Sequence, residues 1–287
     1  MDRENISATK LTILWLNWKD LRNPEVGGAE VFTHEVAKRW VRNGHEVTLF
    51  SSEFPFCQKE EVMDGVRIFR DGGKYSVYRK ARLYCMRVFS KEGYDIVIDE
   101  INTRPFLTSK FMSNRGSIIA LIHQLAREYW FYEIPFPISY IGYYILENMW
   151  LRNYISIPTV TVSESTKRDL IDLGFKSIHV VSEGINFKPL DQVPEKESRP
   201  IVAYVGRLRR AKRPDHAIEA FKAVKGKIPD AELWIIGDGY FRKTLEKSSC
   251  VGVRFFDNLS NEGRRELLRK AWIMVNPSIR EGFGLNV

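Results

Sequence analysis

The chain has 287 residues, of which 44% are hydrophobic and 13% aromatic, so it can bury a large core and is long enough for two domains. Its three cysteines, Cys57, Cys85 and Cys250, are too widely spaced to indicate a disulfide framework or a zinc site. The sequence shows neither a run of about 20 uncharged apolar residues nor a secretory signal pattern. We therefore expect a cytoplasmic protein.

The net charge of +8 is concentrated towards the end of the chain, where residues 193–287 hold 19 basic and 12 acidic side chains. This excess indicates a polyanionic partner, which can be a nucleotide diphosphate, a nucleic acid or an anionic membrane. Charge alone does not decide among these three partners. A nucleic acid is the least expected, because the sequence has no helix-turn-helix, RNP-type or zinc-finger pattern.

In chain order, short β-rich runs alternate with helical patterns. A strand is predicted at 11–18 and a helix at 29–44, and the alternation continues to the apolar strand SIIALIHQ at 117–124. Another strand follows, then a helix with Thr166 and Asp169 spaced like a capping box. This order predicts a parallel sheet covered by helices on both faces.

A polar stretch with prolines predicts an interdomain linker at 191–200. After it the alternation restarts with IVAYVGRL at 201–208 and AELWIIG at 231–237. We therefore predict an α/β protein in which two Rossmann-like domains, residues 1–190 and 201–287, face each other with mostly parallel sheets. Ligands are expected at the carboxyl ends of the strands.

Three positions place polar groups where ligands bind. Gly27 and Gly28 precede a predicted helix whose first amides can meet an anion, although a plain turn fits them equally well. His123 ends an apolar strand, where it can bond a sugar hydroxyl or be structural. Glu281 lies in a glycine-flanked turn, where its carboxylate suits sugar hydroxyls; a surface ion pair with Arg280 is the alternative.

A further candidate site follows the strand at 201–205. Gly206 is followed by Arg207 and Lys212, which supply a planar and a compact cation. Together they suit a diphosphate whose negative charge grows as a bond breaks. A solvated basic loop is the alternative, because three more arginines lie in the same segment.

Together these segments resemble family four of the retaining GT-B glycosyltransferases, the nucleotide-sugar-dependent "group 1" type, nearly from end to end. The strongest matches are VAYVGRLRRAKRPDHAIEAF at 202–221, AELWIIGDG at 231–239 and VNPSIREGFGL at 275–285, supported by VSESTKRDL at 162–170. The combination is far more specific than any one motif. The GDG at 237–239 fits this family better than the GxGxxG of a dinucleotide-binding enzyme.

The resemblance implies that residues 1–190 bind the acceptor and residues 201–287 bind the nucleotide-sugar donor. Gly27 and Gly28 would contact the donor diphosphate through backbone amides, and Arg207 and Lys212 through their side chains. Transfer would retain the anomeric configuration without a protein nucleophile, a metal ion or another cofactor. The absence of a DxD-like motif agrees with this expectation.

The resemblance also implies which residues meet the sugar and the base. His123 would face the transferred sugar, and Glu281 would hold one of its hydroxyls. Phe256 and Asp257 would lie at the base of the donor. The other donor-binding positions that the resemblance implies are Gly206, Phe283, Gly284 and Leu285.

One departure from the family pattern lies at the end of the chain. The second glutamate of the family's Glu, seven residues, Glu motif would fall two positions beyond Val287. The helix that follows it is also missing, and we therefore expect an incomplete second domain, truncated at the C-terminus. A catalytically inactive fragment that binds sugar nucleotides is the alternative to an active enzyme.

The acceptor is expected to be a glycan or a lipid-linked molecule. Residues 74–91 carry six basic and no acidic side chains between aromatic and aliphatic ones, a pattern typical of a helix lying on anionic lipid. Residues 128–150 add aromatic side chains that can line a lipid or glycan groove or simply pack in the core. These patterns predict peripheral association with the inner face of the membrane.

Overall fold

A computed structural model describes residues 9–89, 93–112, 116–185, 188, 190–257 and 259–284. The chain divides into two compact units. The first unit comprises Met1–Ala126 and Tyr144–Gly184, and the second comprises Arg127–Tyr143 and Ile185–Val287. Residues 127–143, predicted from the sequence to belong to the first domain, therefore lie with the second unit.

The described strands of the first unit form one eight-stranded sheet in the order β3-β4-β2-β1-β5-β6-β7-β8. Neighbouring strands are parallel except β3 and β4, which are antiparallel. The predicted mostly parallel sheet is confirmed. The strand bounds are β1 Thr12–Leu16, β2 Glu46–Ser51, β3 Glu60–Met63, β4 Val66–Arg70, β5 Ile96–Glu100, β6 Ser117–Ile122, β7 Thr159–Thr161 and β8 Ile178–Val180.

The described strands of the second unit form a four-stranded, wholly parallel sheet. Its order is β11-β10-β9-β12, so the two strands that open the unit are central. The strand bounds are β9 Ile201–Val205, β10 Glu232–Ile236, β11 Val253–Phe256 and β12 Ile273–Met274.

Helices connect the strands of both sheets. The described α-helices are α1 Gly28–Arg42, α2 Val77–Tyr84, α3 Tyr129–Glu133, α4 Ile138–Ile141, α5 Glu147–Leu151, α6 Glu164–Asp172, α7 Pro214–Lys227, α8 Arg242–Ser248 and α9 Asn261–Lys270. The π-helical turns Cys85–Phe89 and Gly142–Leu146 extend α2 and α4. No helix in the described ranges has the length and apolarity that a membrane span requires.

Strand β1 shows why the sheet is covered on both faces. Ile13 and Trp15 pack in one cluster with Ala37 of α1, whereas Leu14 packs in another cluster with Val77 of α2. Successive side chains of a strand point to opposite faces, so both sets must be apolar to be buried. The sequence of β1 is therefore continuously apolar because a helix covers each face of the sheet at this strand.

The segment 127–143, which contains α3 and α4, is packed on itself. Gly142 lies so close to Trp130 that an added Cβ would come within 2.2 Å of the indole ring. The ring of Phe131 lies 5.1 Å from that of Tyr140 and 4.8 Å from that of Tyr143. The sequence alone did not decide whether these aromatic side chains line a groove or pack in a core. In the structure, several of them pack against one another within the segment.

Candidate functional site

The loop between β1 and α1, which carries Gly27, is anchored by a buried ion pair. Arg70 Nε donates to Asp20 Oδ2 at 2.7 Å, and the hydroxyl of Ser51 donates to the same oxygen at 2.7 Å. Burial opposes ionisation of Asp20, but these hydrogen bonds outweigh it and lower its pKa below the usual 3.8. The ionised carboxylate fixes the loop to β2 and β4.

Gly27 and Gly28 lie at the start of α1, as the sequence predicts. The N–H of Gly27 donates to the carboxylate of Glu30, which lies 3.4 Å from the ammonium of Lys19. Both charged side chains are almost fully buried. Because Glu30 occupies the amide of Gly27, Gly28 offers the first helix amide for an anion. Lys19 is a part of this site that sequence reasoning missed.

The last two residues of β5 have different partners. Asp99 accepts the amides of Phe106 and Thr108, each at 3.1 Å, and the hydroxyl of Tyr154. Burial raises the pKa of Asp99 despite these bonds. Asp99 therefore holds the loop that follows β5, whereas Glu100 belongs to a separate cluster.

His123 follows β6 and lies between two carboxylates. Its Nδ1 is 2.8 Å from Glu183 Oε1, and its Nε2 is 3.4 Å from Glu100 Oε1. Burial disfavours the imidazolium, but the two carboxylates outweigh burial and raise the pKa of His123 to about 9. The ring of Phe32 in α1 contacts the imidazole edge-on, with centroids 5.2 Å apart. His123 is therefore a buried cation at neutral pH, next to the helix that Gly28 opens.

In the second unit, two glycine-containing loops lie side by side at the ends of β9 and β10. The Leu208 amide donates to the Asp238 carbonyl at 2.9 Å. A Cβ at Gly237 would lie 2.0 Å from the carbonyl oxygen of Gly206, and one at Gly239 would lie 2.4 Å from that of Leu208. Only glycine allows this approach. The GDG segment thus supports the backbone just before and after Arg207.

Lys212 and Glu281, 69 residues apart in the sequence, are in direct contact. Lys212 Nζ donates to Glu281 Oε1 at 2.6 Å, and the two side chains are 28% and 30% exposed. The Ile279 amide donates to the Ala211 carbonyl at 3.0 Å, and this bond holds the loop of Lys212 beside the loop of Glu281. Arg280 pairs with Glu128 at 3.2 Å, so each charge of the turn has a partner from another segment.

The loop that carries Arg207 is held from two sides. The hydroxyl of Tyr204 donates to the Arg207 carbonyl at 3.2 Å. From the segment 127–143, Glu133 accepts the Ala211 amide at 3.0 Å and the Tyr240 hydroxyl at 2.8 Å. Sequence reasoning missed Glu133, because 78 residues separate it from Ala211 and no local pattern marks it.

The two residues expected at the base are already engaged. The ring of Phe256 packs edge-on against Trp234, with centroids 5.5 Å apart, in the core on one face of the sheet. The carboxylate of Asp257 pairs with the guanidinium of Arg242. A base that lies at this loop must therefore use the exposed remainder of these groups or displace Arg242.

The turn after Glu281 is described up to Gly284. The side chain of Phe283 is 44% exposed, and Gly284 has a left-handed φ of 83°. Leu285 lies outside the described residues, so its expected amide contact stays a prediction.

No three His, Cys, Asp or Glu side chains within the described ranges are placed to hold a metal ion. Around His123 the two carboxylates meet different ring nitrogens, so the three groups do not converge on one point. The features suited to an anion are the first amides of α1 in one unit, and Arg207 and Lys212 in the other.

Two family profiles together match the chain from residue 26 to residue 287. The profile described as "Glycosyltransferase Family 4" matches residues 26–188, and the profile described as "Glycosyl transferases group 1" matches residues 188–287.

Individual relatives match shorter or more divergent stretches. A trehalose synthase of Thermococcus litoralis is 32% identical over 120 residues, which cover 37% of this chain and 29% of that protein. The poly(glycerol-phosphate) alpha-glucosyltransferase of Bacillus subtilis is 32% identical over 107 residues, covering 34% and 16%. The O-antigen biosynthesis glycosyltransferase WbnH of Escherichia coli is 24% identical over 253 residues, covering 83% and 68%. The chain thus spans less than a third of the first two relatives.

Solved structures show the same architecture. The lipopolysaccharide outer core galactosyltransferase WaaB, in its apo form, matches 96% of this chain and 76% of its own with a TM-score of 0.65 and 17% identity. TarM matches 98% and 83% with a TM-score of 0.66 and 14% identity. The chain has the GT-B fold and belongs to glycosyltransferase family 4.

Proposed function

We propose that this chain binds a nucleotide-diphosphate sugar and transfers the sugar to a hydroxyl acceptor, with retention and without a metal ion. The observation that carries the proposal is the 2.6 Å contact between Lys212 and Glu281 after β9. It joins the cation expected at the diphosphate to the carboxylate expected at the sugar. The bond that breaks in the reaction lies between those two parts of the donor.

Both members of this pair can keep each other and still bind the donor. A carboxylate has about four lone-pair sites, so Glu281 can hold Lys212 and accept a sugar hydroxyl. An ammonium has three N–H donors, so Lys212 can reach a phosphate oxygen as well. Arg207, on the same loop, adds a planar cation for the diphosphate.

Catalysis in this proposal consists of positioning and charge stabilisation. The leaving diphosphate takes the acceptor proton on the same face of the sugar, and Arg207 and Lys212 stabilise its growing charge. One relative is named an alpha-glucosyltransferase, and transfer from an α-linked donor to an α-linked product is retention. We expect an unchanged anomeric configuration in the product by NMR and full activity in EDTA. An inverted product, or strict dependence on Mn²⁺, would contradict these two points.

The roles of the cations are tested by Arg207→Ala and Lys212→Ala. We expect kcat to fall about tenfold to a thousandfold in each variant, the range for a lost charge-stabilising donor. Lys222→Ala is the matched control, because Lys222 is a surface cation of the same unit that pairs with Glu219 at 2.7 Å. Wild-type turnover in both Arg207→Ala and Lys212→Ala would exclude the assignment. Donor binding by the wild type without any transfer would indicate the inactive binder instead.

The nucleotide is identified by a thermal-shift titration with UDP, GDP and ADP, and then with their sugar conjugates, all in EDTA. A single preferred base is expected to stabilise the wild type, since a ligand that binds only the folded state raises Tm. Lys212→Ala should lose most of that shift and Lys222→Ala should keep it.

The acceptor is proposed to be presented at an anionic membrane surface. The exposed face of α2, with the residues just before and after the helix, carries Lys74, Arg79, Arg82 and Arg87 together with apolar side chains such as Met86, which is 53% exposed. A helix with this face suits an anionic bilayer. Lys91, the sixth basic side chain of residues 74–91, lies outside the described residues.

Cosedimentation with vesicles tests the membrane surface. The wild type is expected to sediment with vesicles rich in phosphatidylserine and not with neutral ones, whereas Arg79→Glu with Arg82→Glu should remain in solution. Arg168→Glu on α6 of the same unit is the control for charge reversal elsewhere, because Arg168 is exposed on a different helix. Equal sedimentation of the double variant and the wild type would rule out this surface.

A further inference from the structure

The turn after β2 presents an aromatic side chain entirely to water. Phe56 is 106% exposed, and its φ of 64° lies in the left-handed region. The amide of Cys57 donates to the carbonyl of Phe54 at 3.2 Å, and Pro55 occupies the second position, which fits a type II turn. The third position of such a turn normally holds glycine. A bulky side chain is strained there, and strain of this kind is often found at functional sites.

The turn is bonded on both sides of its tip. Nη1 of Arg70 donates to the Gln58 carbonyl at 2.9 Å, and the guanidinium lies 5.3 Å from the centre of the Phe54 ring. On the other side, the Glu53 amide donates to the Gly72 carbonyl at 2.8 Å. The arginine is the buried one that also anchors the β1–α1 loop. The exposed ring therefore has a defined position relative to that loop.

The turn lies at the edge of the sheet where ligands are expected. Strands β1 and β2 are parallel, so residues 53–59 follow β2 at the same edge at which the loop with Gly27 follows β1. The Ser52 amide donates to the Trp18 carbonyl at 3.2 Å and joins the two segments. Open α/β sheets bind ligands at the carboxyl ends of their strands.

Folding does not account for a phenylalanine at this position. Its exposed ring buries no surface, and glycine would adopt the same φ without strain. The neighbouring side chains are polar: residues 53–61 hold three acidic groups and one basic group, so they lack the basic excess of the proposed membrane surface on α2. An aromatic face beside polar groups suits a neutral sugar, whose C–H bonds pack on the ring while its hydroxyls meet the polar groups.

We propose that Phe56 is an acceptor-binding residue, whose ring packs against the C–H face of a neutral hexopyranose unit of the acceptor. The turn holds the ring in place before the acceptor arrives, so binding does not have to order it. The inference rests on the proposed function, because it names the chemical class of the acceptor.

Binding is tested by saturation-transfer difference NMR titrations of the full chain with the methyl α-glycosides of glucose, galactose and mannose. Each titration is run with and without the nucleotide diphosphate that stabilises the wild type. We expect the wild type to bind at least one glycoside through its ring C–H protons. Phe56→Gly should raise that Kd about three- to tenfold, whereas Phe56→Trp should keep it, because indole offers an equal or larger face. Val62→Ala is the control, since Val62 on β3 is apolar and 68% exposed.

A stability measurement separates a binding role from a structural one. We expect Tm of Phe56→Gly to equal or exceed that of the wild type, because glycine relieves the left-handed φ and the exposed ring buries no surface. A lower Tm together with weaker glycoside binding would make the ring structural and overturn the proposal.

Three other results decide the proposal. It is overturned by an unchanged Kd in Phe56→Gly, or by the absence of binding of all three glycosides to the wild type. Loss of sedimentation with anionic vesicles in Phe56→Gly would assign the ring to the bilayer and overturn the sugar contact. If a glycoside binds at Phe56 but no nucleotide diphosphate stabilises the wild type, the proposed function fails and the sugar contact stands.

Discussion

The charged clusters of the two units differ most in their exposure to water. The side chains of Glu100, His123 and Glu183 in the first unit are at most 9% exposed, whereas Lys212 and Glu281 in the second are 28% and 30% exposed. A buried charge cannot lose its partner without a large cost, because no water replaces it. An exposed pair is screened and stabilises the fold little. The cluster in the first unit is therefore fixed before a ligand arrives, and the pair in the second unit is free to exchange partners.

The largest effect is expected from the buried ion pair that anchors the β1–α1 loop. Arg70→Met leaves the carboxylate of Asp20 buried beside only its neutral donors, and we expect the free energy of unfolding in urea to fall by about 3–5 kcal/mol. Arg39→Met is the control, because its ion pair with Glu35 is on the surface of α1. Equal losses in the two variants would show that burial does not distinguish these pairs.

The second largest effect is expected where two backbones touch. Gly237→Ala places a methyl group 2.0 Å from the Gly206 carbonyl, and we expect a loss of about 1–3 kcal/mol in unfolding free energy. Gly226→Ala in α7 meets open space and is expected to be neutral or slightly stabilising. A neutral Gly237→Ala would mean that the two loops can separate at little cost.

A smaller effect is expected from pH. The folded pKa of His123 is raised to about 9 from the usual 6.5, so its ion pairs stabilise the fold fully below pH 6.5, and this contribution is lost as pH rises through 9. We expect Tm of the wild type to decline over this window more than Tm of His123→Gln. Parallel curves for the two proteins would contradict the cationic state.

The smallest effect on stability is expected from the exposed pair. Lys212→Ala should lower the free energy of unfolding by about 1 kcal/mol or less, although the same change should strongly reduce catalysis. Urea unfolding and turnover of one preparation measure both. A large loss of stability would make the Lys212–Glu281 contact structural and remove the contrast between the two clusters.

Local patterns were sufficient for the buried parallel strands, but they gave no signal for the antiparallel edge strand β3 and were less reliable at the ends of helices. Strands that are buried on both faces are continuous apolar runs, as in Ile201–Val205, and these are visible in the sequence. The capping box suggested by Thr166 and Asp169 was wrong. Helix α6 is capped by Ser163, whose hydroxyl accepts the Thr166 amide, because the polar run offers several candidates and tertiary packing selects one.

The candidate site residues also fall into two groups: those that a local motif predicts and those that only the fold brings together. Arg207, Lys212 and Glu281 lie in contiguous motifs, and the structure brings the last two into contact. Glu183 meets His123 from 60 residues away, and no spacing rule connects them. Glu100 offered one usable signal: it ends a strand next to the strand that precedes His123, and the carboxyl ends of neighbouring parallel strands meet.

The position of residues 127–143 has a consequence for dissecting the gene. Because the chain passes between the two units at three points, a cut in the 191–200 region does not yield two self-sufficient halves. An isolated fragment from residue 201 onwards would lack Glu133, and with it the acceptor of the Ala211 amide and the Tyr240 hydroxyl. Expression of the second unit alone therefore calls for residues 127–143 to be supplied as well, by fusion or as a separate peptide.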